Sequence, residues 1–264
     1  MKRLFLLLFS AVSLMFASCG HEDNPTVIRG TIIQYTTTDG NPIVLPDESA
    51  FNVEIMEHTY GTIHFKDYLT EVGDWAFSDC TNLLTIQIPN SVTRIGTGAF
   101  FHCEALEEVT LSNRLTELGD SAFFGCFKLK SFKGKYATKD GRCLIVNGEL
   151  RHFAQNGITE YTIPSEATVI GFEVFYSCTK LKSVHIHSKV TQIKDFAFYY
   201  CEGLKSVYCD AVNPPKLGES VFSNNDGGEV AIGCKIYVPS ASVEQYKTAK
   251  NWSAYAKYIE AVKN

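Results

Sequence analysis

Residues 95–106 read I-G-T-G-A-F-F-H-C-E-A-L. The opening Ile-Gly-Thr-Gly has the outline of a glycine-rich phosphate loop, and the fold depends on whether it is one. The segment A-F-F-x-C-x-x-L returns at Ala122 to Leu129 as A-F-F-G-C-F-K-L. Alignment on its core gives five copies: A-F-S-D-C ending at Cys80, A-F-F-H-C at Cys103, A-F-F-G-C at Cys126, V-F-Y-S-C at Cys178 and A-F-Y-Y-C at Cys201. Successive cysteines are 23, 23, 52 and 23 residues apart. Three residues after each stands a leucine (Leu83, Leu106, Leu129, Leu181, Leu204), and three further on an Ile86, Val109, Phe132, Val184 or Val207. Five before each phenylalanine stand Val72, Ile95, Leu118, Ile170 and Ile193. A worn sixth copy, L-G-E-S-V-F, spans Leu217 to Phe222.

The repeat disposes of the phosphate loop. Gly96 recurs as Gly73, Gly119 and Gly171, with Lys194 in the last copy. Gly98 does not recur; Trp75, Ser121, Glu173 and Phe196 take its place. No third glycine follows, and no strand-to-helix unit is long enough to hold a dinucleotide.

A 23-residue coil is too short to bury its own apolar face, and stacked coils bury it against each other. In Leu83 to Pro89, L-L-T-I-Q-I-P, alternation turns Ile86 and Ile88 inward and Thr85 and Gln87 outward. Val92 and Ile95 point inward from a second side. Asp74, Thr97, Asp120 and Asp195, three before the phenylalanine, are placed to cap a short helical turn that carries Ala-Phe into the core; Phe172 breaks that rule. Each coil advances the stack by about one strand spacing, ~4.8 Å. The expected fold is a β-rich solenoid of short strands, turns and short helical segments.

The 52-residue interval is one coil plus 29 residues. It contains C-L-I-V-N-G-E-L-R-H-F, in which Asn147-Gly148 between apolar runs signals a two-residue hairpin. We place an excursion or enlarged coil at about 133–161, within repeats covering 69–209. An N-terminal β cap occupies 27–68. The worn last repeat and a helical cap occupy 210–264. There Ser242 and Gln245 fit a capping box, and Trp252, Tyr255 and Ile259 would share the face that covers the last coil.

The N-terminus is of another kind. Lys2 and Arg3 precede a nearly unbroken apolar run, Leu4 to Phe16, of 13 residues. That is short for a bilayer span and suits a secretory signal over 1–18. Ala17 and Ser18 lead into Cys19, as in bacterial lipoprotein signals, which this segment resembles; Phe16 departs from the leucine usual there. The resemblance implies lipidation at Cys19. An ordinary cleaved signal with an incidental cysteine is the alternative. Residues 19–26 read as an acidic, solvated tether, similar to stretches that mark some lipoproteins for the outer surface. No second apolar run approaches spanning length, so membrane attachment is expected through the lipid alone. The net charge of -5 invites no nucleic acid.

The line I-G-x-x-A-F-x-x-C-x-x-L-x-x-I-x-I-P resembles the BspA-like leucine-rich repeat of bacterial surface proteins. The flanks I-I-Q-Y-T-T-T-D-G-N-P and N-P-P-K-L-G…I-Y-V-P…Y-K…W-S-A-Y are similar to that family's flanks. The resemblance implies a curved solenoid displayed outside the cell, as an outer-membrane lipoprotein, that binds a protein or glycan. It fixes no ligand.

Two columns are candidates for recognition. The first lies outward on the strands: Gln87, Thr110, Lys133, His185 and Tyr208, flanked by Thr85, Glu108, Ser131, Ser183 and Ser206. Its polar side chains vary while the inward ones stay apolar, as on a solenoid binding face; plain solvation is the alternative. The second is the aromatic series Phe101, Phe124, Tyr176 and Tyr199, with Ser78 at its start. These rings either pack coil edges together or, if exposed, form a ladder for sugars or an apolar partner. His185 and His187 share a strand face and could share a metal, but no third ligand is evident, so solvated histidines are expected. The column cysteines read as small buried hydrophobes; pairing of Cys143, Cys209 and Cys234 stays open. No Cys-x-x-Cys, Gly-x-Ser-x-Gly or His-Glu-x-x-His occurs, and no catalytic residue, metal or cofactor is expected. An envelope scaffold subunit is the main alternative to an adhesive binder. A hydrolase assembled across coils is a third.

Overall fold

The computed structural model describes residues 30–224 and 229–262. Residues 1–18, read from sequence as a secretory signal, and residues 19–26, read as an acidic tether with Cys19 at its start, lie outside them. The described chain is a β-solenoid of about 8 turns. Each regular coil has three sides. One carries strands such as Leu83–Gln87, Glu108–Thr110 and Ser131–Lys133, paired in parallel with Ile86 beside Val109 and Val109 beside Phe132. The next carries two-residue strands, Glu71–Val72, Arg94–Ile95 and Glu117–Leu118. The third is the A-F-x-x-C segment itself.

That third side corrects one expectation. The segment is a run of turns, not a helix: alternate N–H groups bond within it, as Ser78 does to Trp75 at 2.9 Å, and those between them bond to the next coil. The N–H groups of Trp75, Phe77 and Asp79 donate to the carbonyls of Thr97, Ala99 and Phe101 at 3.0, 2.7 and 2.8 Å. Donating outward requires a left-handed residue at two points of each turn. Trp75, Gly98, Ser121, Glu173 and Phe196 all have positive φ, as do Asp79, His102, Gly125, Ser177 and Tyr200. Asp74 and Asp195 therefore bridge coils rather than cap their own. Asp74 accepts from the Thr97 N–H at 2.9 Å, and Asp195 from Glu219 at 2.8 Å.

The core is a column of rings. Phe77, Phe100 and Phe123 stack at 5.0 and 5.1 Å with planes 6° and 4° apart, and Phe175 stacks on Phe198 at 4.6 Å. Phe77, Phe100, Phe175 and Phe198 are among the largest side chains that the protein buries fully. Gly96 shows why glycine belongs beside it: a Cβ there would lie 2.6 Å from the Gly73 carbonyl carbon of the coil before.

The 29 added residues fold as the sequence suggests at their centre. Cys143–Val146 and Glu149–Phe153 form a hairpin with Asn147 and Gly148 at φ 51° and 79°. Its second strand pairs in parallel with Val169–Ile170, so it is an enlarged coil of the stack. The ends close the stack differently. Ile32–Thr37 pairs antiparallel with Leu83–Gln87, and Phe51 packs on Phe77 at 5.4 Å. At the other end Trp252 and Tyr255 are buried against Phe222.

Two details there differ from expectation. Ser242 makes no capping bond, because it ends a 3-10 turn (Ser240–Ser242) with helical rather than extended angles, and its Oγ is buried without a partner. Ile259 is buried but opens a strand, Ile259–Ala261, that pairs with Lys235–Val238, so it shares no helix face with Trp252.

Candidate functional site

Parallel register places the outward strand residues side by side. Gln87 lies beside Thr110, and Thr110 beside Lys133. His185 lies beside Tyr208, and Tyr208 beside Tyr237. All are exposed or half-exposed above a buried apolar row. The sequence treats the five as one column; the structure divides them between two sheets. The strand Ser131–Lys133 ends a six-stranded sheet, and Glu160–Thr162 begins a five-stranded one. The break has a local cause. The chain after Lys133 folds back, and the Phe132 N–H donates to Gly141 at 2.8 Å instead of to another repeat strand.

Each half of the face has its own character. In the first, Lys133 Nζ lies 3.2 Å from Glu108 and Lys130 Nζ 2.7 Å from Glu107. These exposed pairs add little stability and leave a mixed-charge, hydrogen-bonding surface. A hollow of about 350 Å³ beside it is floored by Gln34, Gln87, Thr110 and Asn113. The second half is aromatic. Tyr208 and Tyr237 stack at 5.1 Å, His185 meets Tyr208 edge-on at 5.9 Å, and His185 Nε2 lies 3.0 Å from Asp210. Gln34, Thr162, Tyr237 and Glu260 join the face from the caps and the enlarged coil. Sequence spacing missed them because they lie outside the A-F-x-x-C copies. Only Tyr237, in K-I-Y-V beside the S-V-Y-C of Tyr208, carried a readable signal.

The second column is continuous. Trp75 meets Phe101 at 5.2 Å, Phe101 stacks on Phe124 at 5.4 Å, Phe124 meets Tyr176 at 5.1 Å, and Tyr176 meets Tyr199 at 6.0 Å. Phe101, Phe124 and Tyr176 are half-buried, while Tyr199 and Ser78 are buried. The rings thus pack coil edges and still show part of their surface.

The two histidines of H-I-H part company. His185 faces Asp210, and His187 Nε2 lies 3.0 Å from the Pro164 carbonyl. Among the described residues no three His, Cys, Asp or Glu side chains group to hold a metal. All eight described cysteines are free and buried. Off the column, Cys143 contacts the Tyr161 hydroxyl at 3.1 Å and Cys209 the Tyr246 hydroxyl at 3.3 Å.

Comparison with known proteins bears on this geometry. The family model for the BspA type leucine rich repeat region matches residues 49–139 and 149–237, in six copies. No curated protein matches the chain. Among solved structures, a leucine rich cell surface protein from Faecalibacterium prausnitzii A2-165 is 23% identical with a TM-score of 0.51, over 74% of this chain and 58% of that one. That likeness is one of fold, and this chain spans little more than half of that protein's length. A leucine rich repeat protein of T. pallidum is 25% identical with a TM-score of 0.34, over 59% of this chain and 69% of that one. One from Eubacterium ventriosum is 14% identical with a TM-score of 0.37, over 65% and 64%.

Proposed function

The chain belongs to the BspA-type leucine-rich repeat family, and from that premise we propose that it is a non-enzymatic bacterial surface protein that binds an extracellular protein or glycan through its strand face. One observation carries this reading: in both sheets, varied polar and aromatic side chains stand in register over a row that stays apolar and buried. Solenoid faces of this build recruit ligands through many modest contacts, and many copies on one cell multiply the strength of attachment. We place the protein in the outer membrane, held by a lipid on Cys19 and facing outward.

The test is an array of matrix proteins, plasma proteins and glycans, probed with soluble protein lacking the leader and with the variant Lys133→Ala, His185→Ala, Tyr208→Ala. Binding that the triple variant loses, at an unchanged melting midpoint, supports the strand face. Binding it retains moves the site elsewhere. If nothing on the array binds and a partner is recovered from the bacterium's own envelope, the protein is a scaffold subunit instead.

A further inference from the structure

Each regular turn passes its N–H groups to the next coil. Gly98, Phe100 and His102 donate to Asp120, Ala122 and Phe124 at 3.1, 2.8 and 2.8 Å, and Glu173, Phe175 and Ser177 donate to Asp195, Ala197 and Tyr199. The ladder stops at one level. Ser121, Phe123 and Gly125 hold the donor positions there, and their N–H groups find no acceptor among the described residues. Across from them, the carbonyls of Phe172, Val174 and Tyr176 hold the acceptor positions and find no donor.

The enlarged coil explains the gap. Its return strand adds a layer to the core, with the His152 ring 5.3 Å from Phe123 and the Phe153 ring 4.5 Å from Phe175. It adds no A-F-x-x-C turn above that layer. The outer surface is therefore one turn short, and a groove runs between the turns of Ser121–Cys126 and Phe172–Tyr176. It comprises three adjoining cavities: about 50 Å³ in the middle, about 220 Å³ beside Arg151 and Lys194, and about 550 Å³ beside Phe127 and Lys180.

The floor is built. His152 is 8% exposed and lines two of the three cavities. Burial keeps its ring neutral, the Gly119 carbonyl favours its proton, and Nε2 is buried without a partner. The neighbouring Arg151 Nε is also buried and unpartnered, although its terminal nitrogens hold Leu118 O and approach Asp120 and Glu149.

We propose that this groove is a second binding site, and that it takes a neutral sugar unit of a glycan. Charge argues for a neutral ligand. Arg151 and Lys194 are offset by Asp120 and Glu149, and the Glu173 carboxylate in the middle is set against Lys128 and Lys180 at the far end, so neither sign dominates. Hydrogen bonding argues for hydroxyls. The unpaired backbone groups are all N–H on one wall and all C=O on the other, and the floor adds the unpartnered His152 Nε2 and Arg151 Nε. A hydroxyl accepts and donates at once and serves all of these. An extended peptide does not, because each edge of a strand alternates N–H with C=O. Its own N–H groups would face the Ser121–Gly125 wall donor to donor. The rim supplies ring faces for the C–H side of a sugar: Phe172, 49% exposed, at one end, Phe127 at the other, and the Phe124–Tyr176 pair over the middle.

This site is separate from the strand face, so Lys133→Ala, His185→Ala, Tyr208→Ala leaves it intact. The experiment screens the protein against an array of neutral glycans and, in parallel, a displayed library of short peptides. The best binder of each kind is then followed by amide hydrogen exchange. In the free protein the amides of Ser121, Phe123 and Gly125 exchange faster than those of Gly98, Phe100 and His102. A bound glycan slows all three. His152→Phe, which keeps a ring against Phe123, weakens binding at least about tenfold, as loss of a buried hydrogen bond does. Phe172→Ala, which touches only the rim, weakens it without moving the melting midpoint. The proposal is overturned if the three amides are as protected as Phe100 in the free protein. It is also overturned if no neutral glycan binds, if a peptide rather than a glycan slows the amides, or if both variants bind as the parent does.

Discussion

The Cys103 thiol donates to the carbonyl of Phe77 at 3.0 Å, reaching back one coil across 26 residues of sequence. Cys126 does the same to Phe100 at 3.1 Å, and Cys201 to Phe175 at 3.0 Å. A cysteine in this column is thus a small apolar filler that also answers a carbonyl at the end of the turn. Serine would fit the bond but is costly to bury, and alanine would remove this link between coils, leaving the Phe77 carbonyl only the Cys80 N–H of its own coil at 3.3 Å.

Burial sets the reactivity of these thiols. It pushes Cys80 and Cys234 up to about 12 and Cys209 to about 11, while an unfolded thiol ionises near 8.5. The folded state therefore holds protons that the unfolded state gives up, so stability is complete below about pH 8.5 and falls as pH rises toward 11 to 12. Two measurements check this. The cysteines from Cys80 to Cys234 should resist a thiol reagent in the native protein at pH 8 and react on unfolding, and the melting midpoint should decline above about pH 9.

Histidine 152 should shape the acid limb. Burial holds it neutral in the folded protein, with its pKa lowered to about 3, whereas the unfolded residue takes a proton near 6.5. Its contribution is fully present above about pH 6.5 and is lost as pH falls toward 3. A melting curve series from pH 7 to 4 should fall more steeply for the parent than for His152→Phe. Parallel curves would place His152 in contact with solvent.

The ring column predicts a contrast. Phe100 is sandwiched between Phe77 and Phe123 and fully buried, so Phe100→Ala should cost ~3–5 kcal/mol. Phe172 sits on the rim, and Phe172→Ala should stay within about 0.5 kcal/mol. Denaturant midpoints of the two variants decide it, and equal losses would mean that the column is not the core.

The coil spacing predicts another. A Cβ at Gly96 would press on the Gly73 backbone and the Asp74 amide, at 2.6 and 2.5 Å. Backbone cannot swing aside as a side chain does, so Gly96→Ala should cost ~1–3 kcal/mol. A neutral result in a denaturant titration would mean that adjacent coils are not so closely spaced.

Gly98 shows how far the sequence could be read. In one line it is a lone glycine, and its equivalents Trp75, Ser121, Glu173 and Phe196 share no chemistry. The shared property is conformational: every one is left-handed. Four of the five are not glycine, so composition hid the rule. The aspartates misled for a related reason. Their position suits an N-cap, but in Asp74 and Asp195 the acceptor serves an amide 23 or 24 residues away, which local pattern does not reveal.

The sequence by itself determined the solenoid. Its period, its apolar columns and the Asn147-Gly148 turn are statements about neighbours along the chain, and stacking identical coils repeats them in space. It also determined which side chains could face outward, since alternation on a strand is local. Only the tertiary structure decided how those side chains are grouped. The enlarged coil splits the strand face into two sheets and leaves the turn ladder one rung short. Both results depend on which backbone groups find partners across coils, and such pairing follows from three-dimensional register rather than from spacing in the chain.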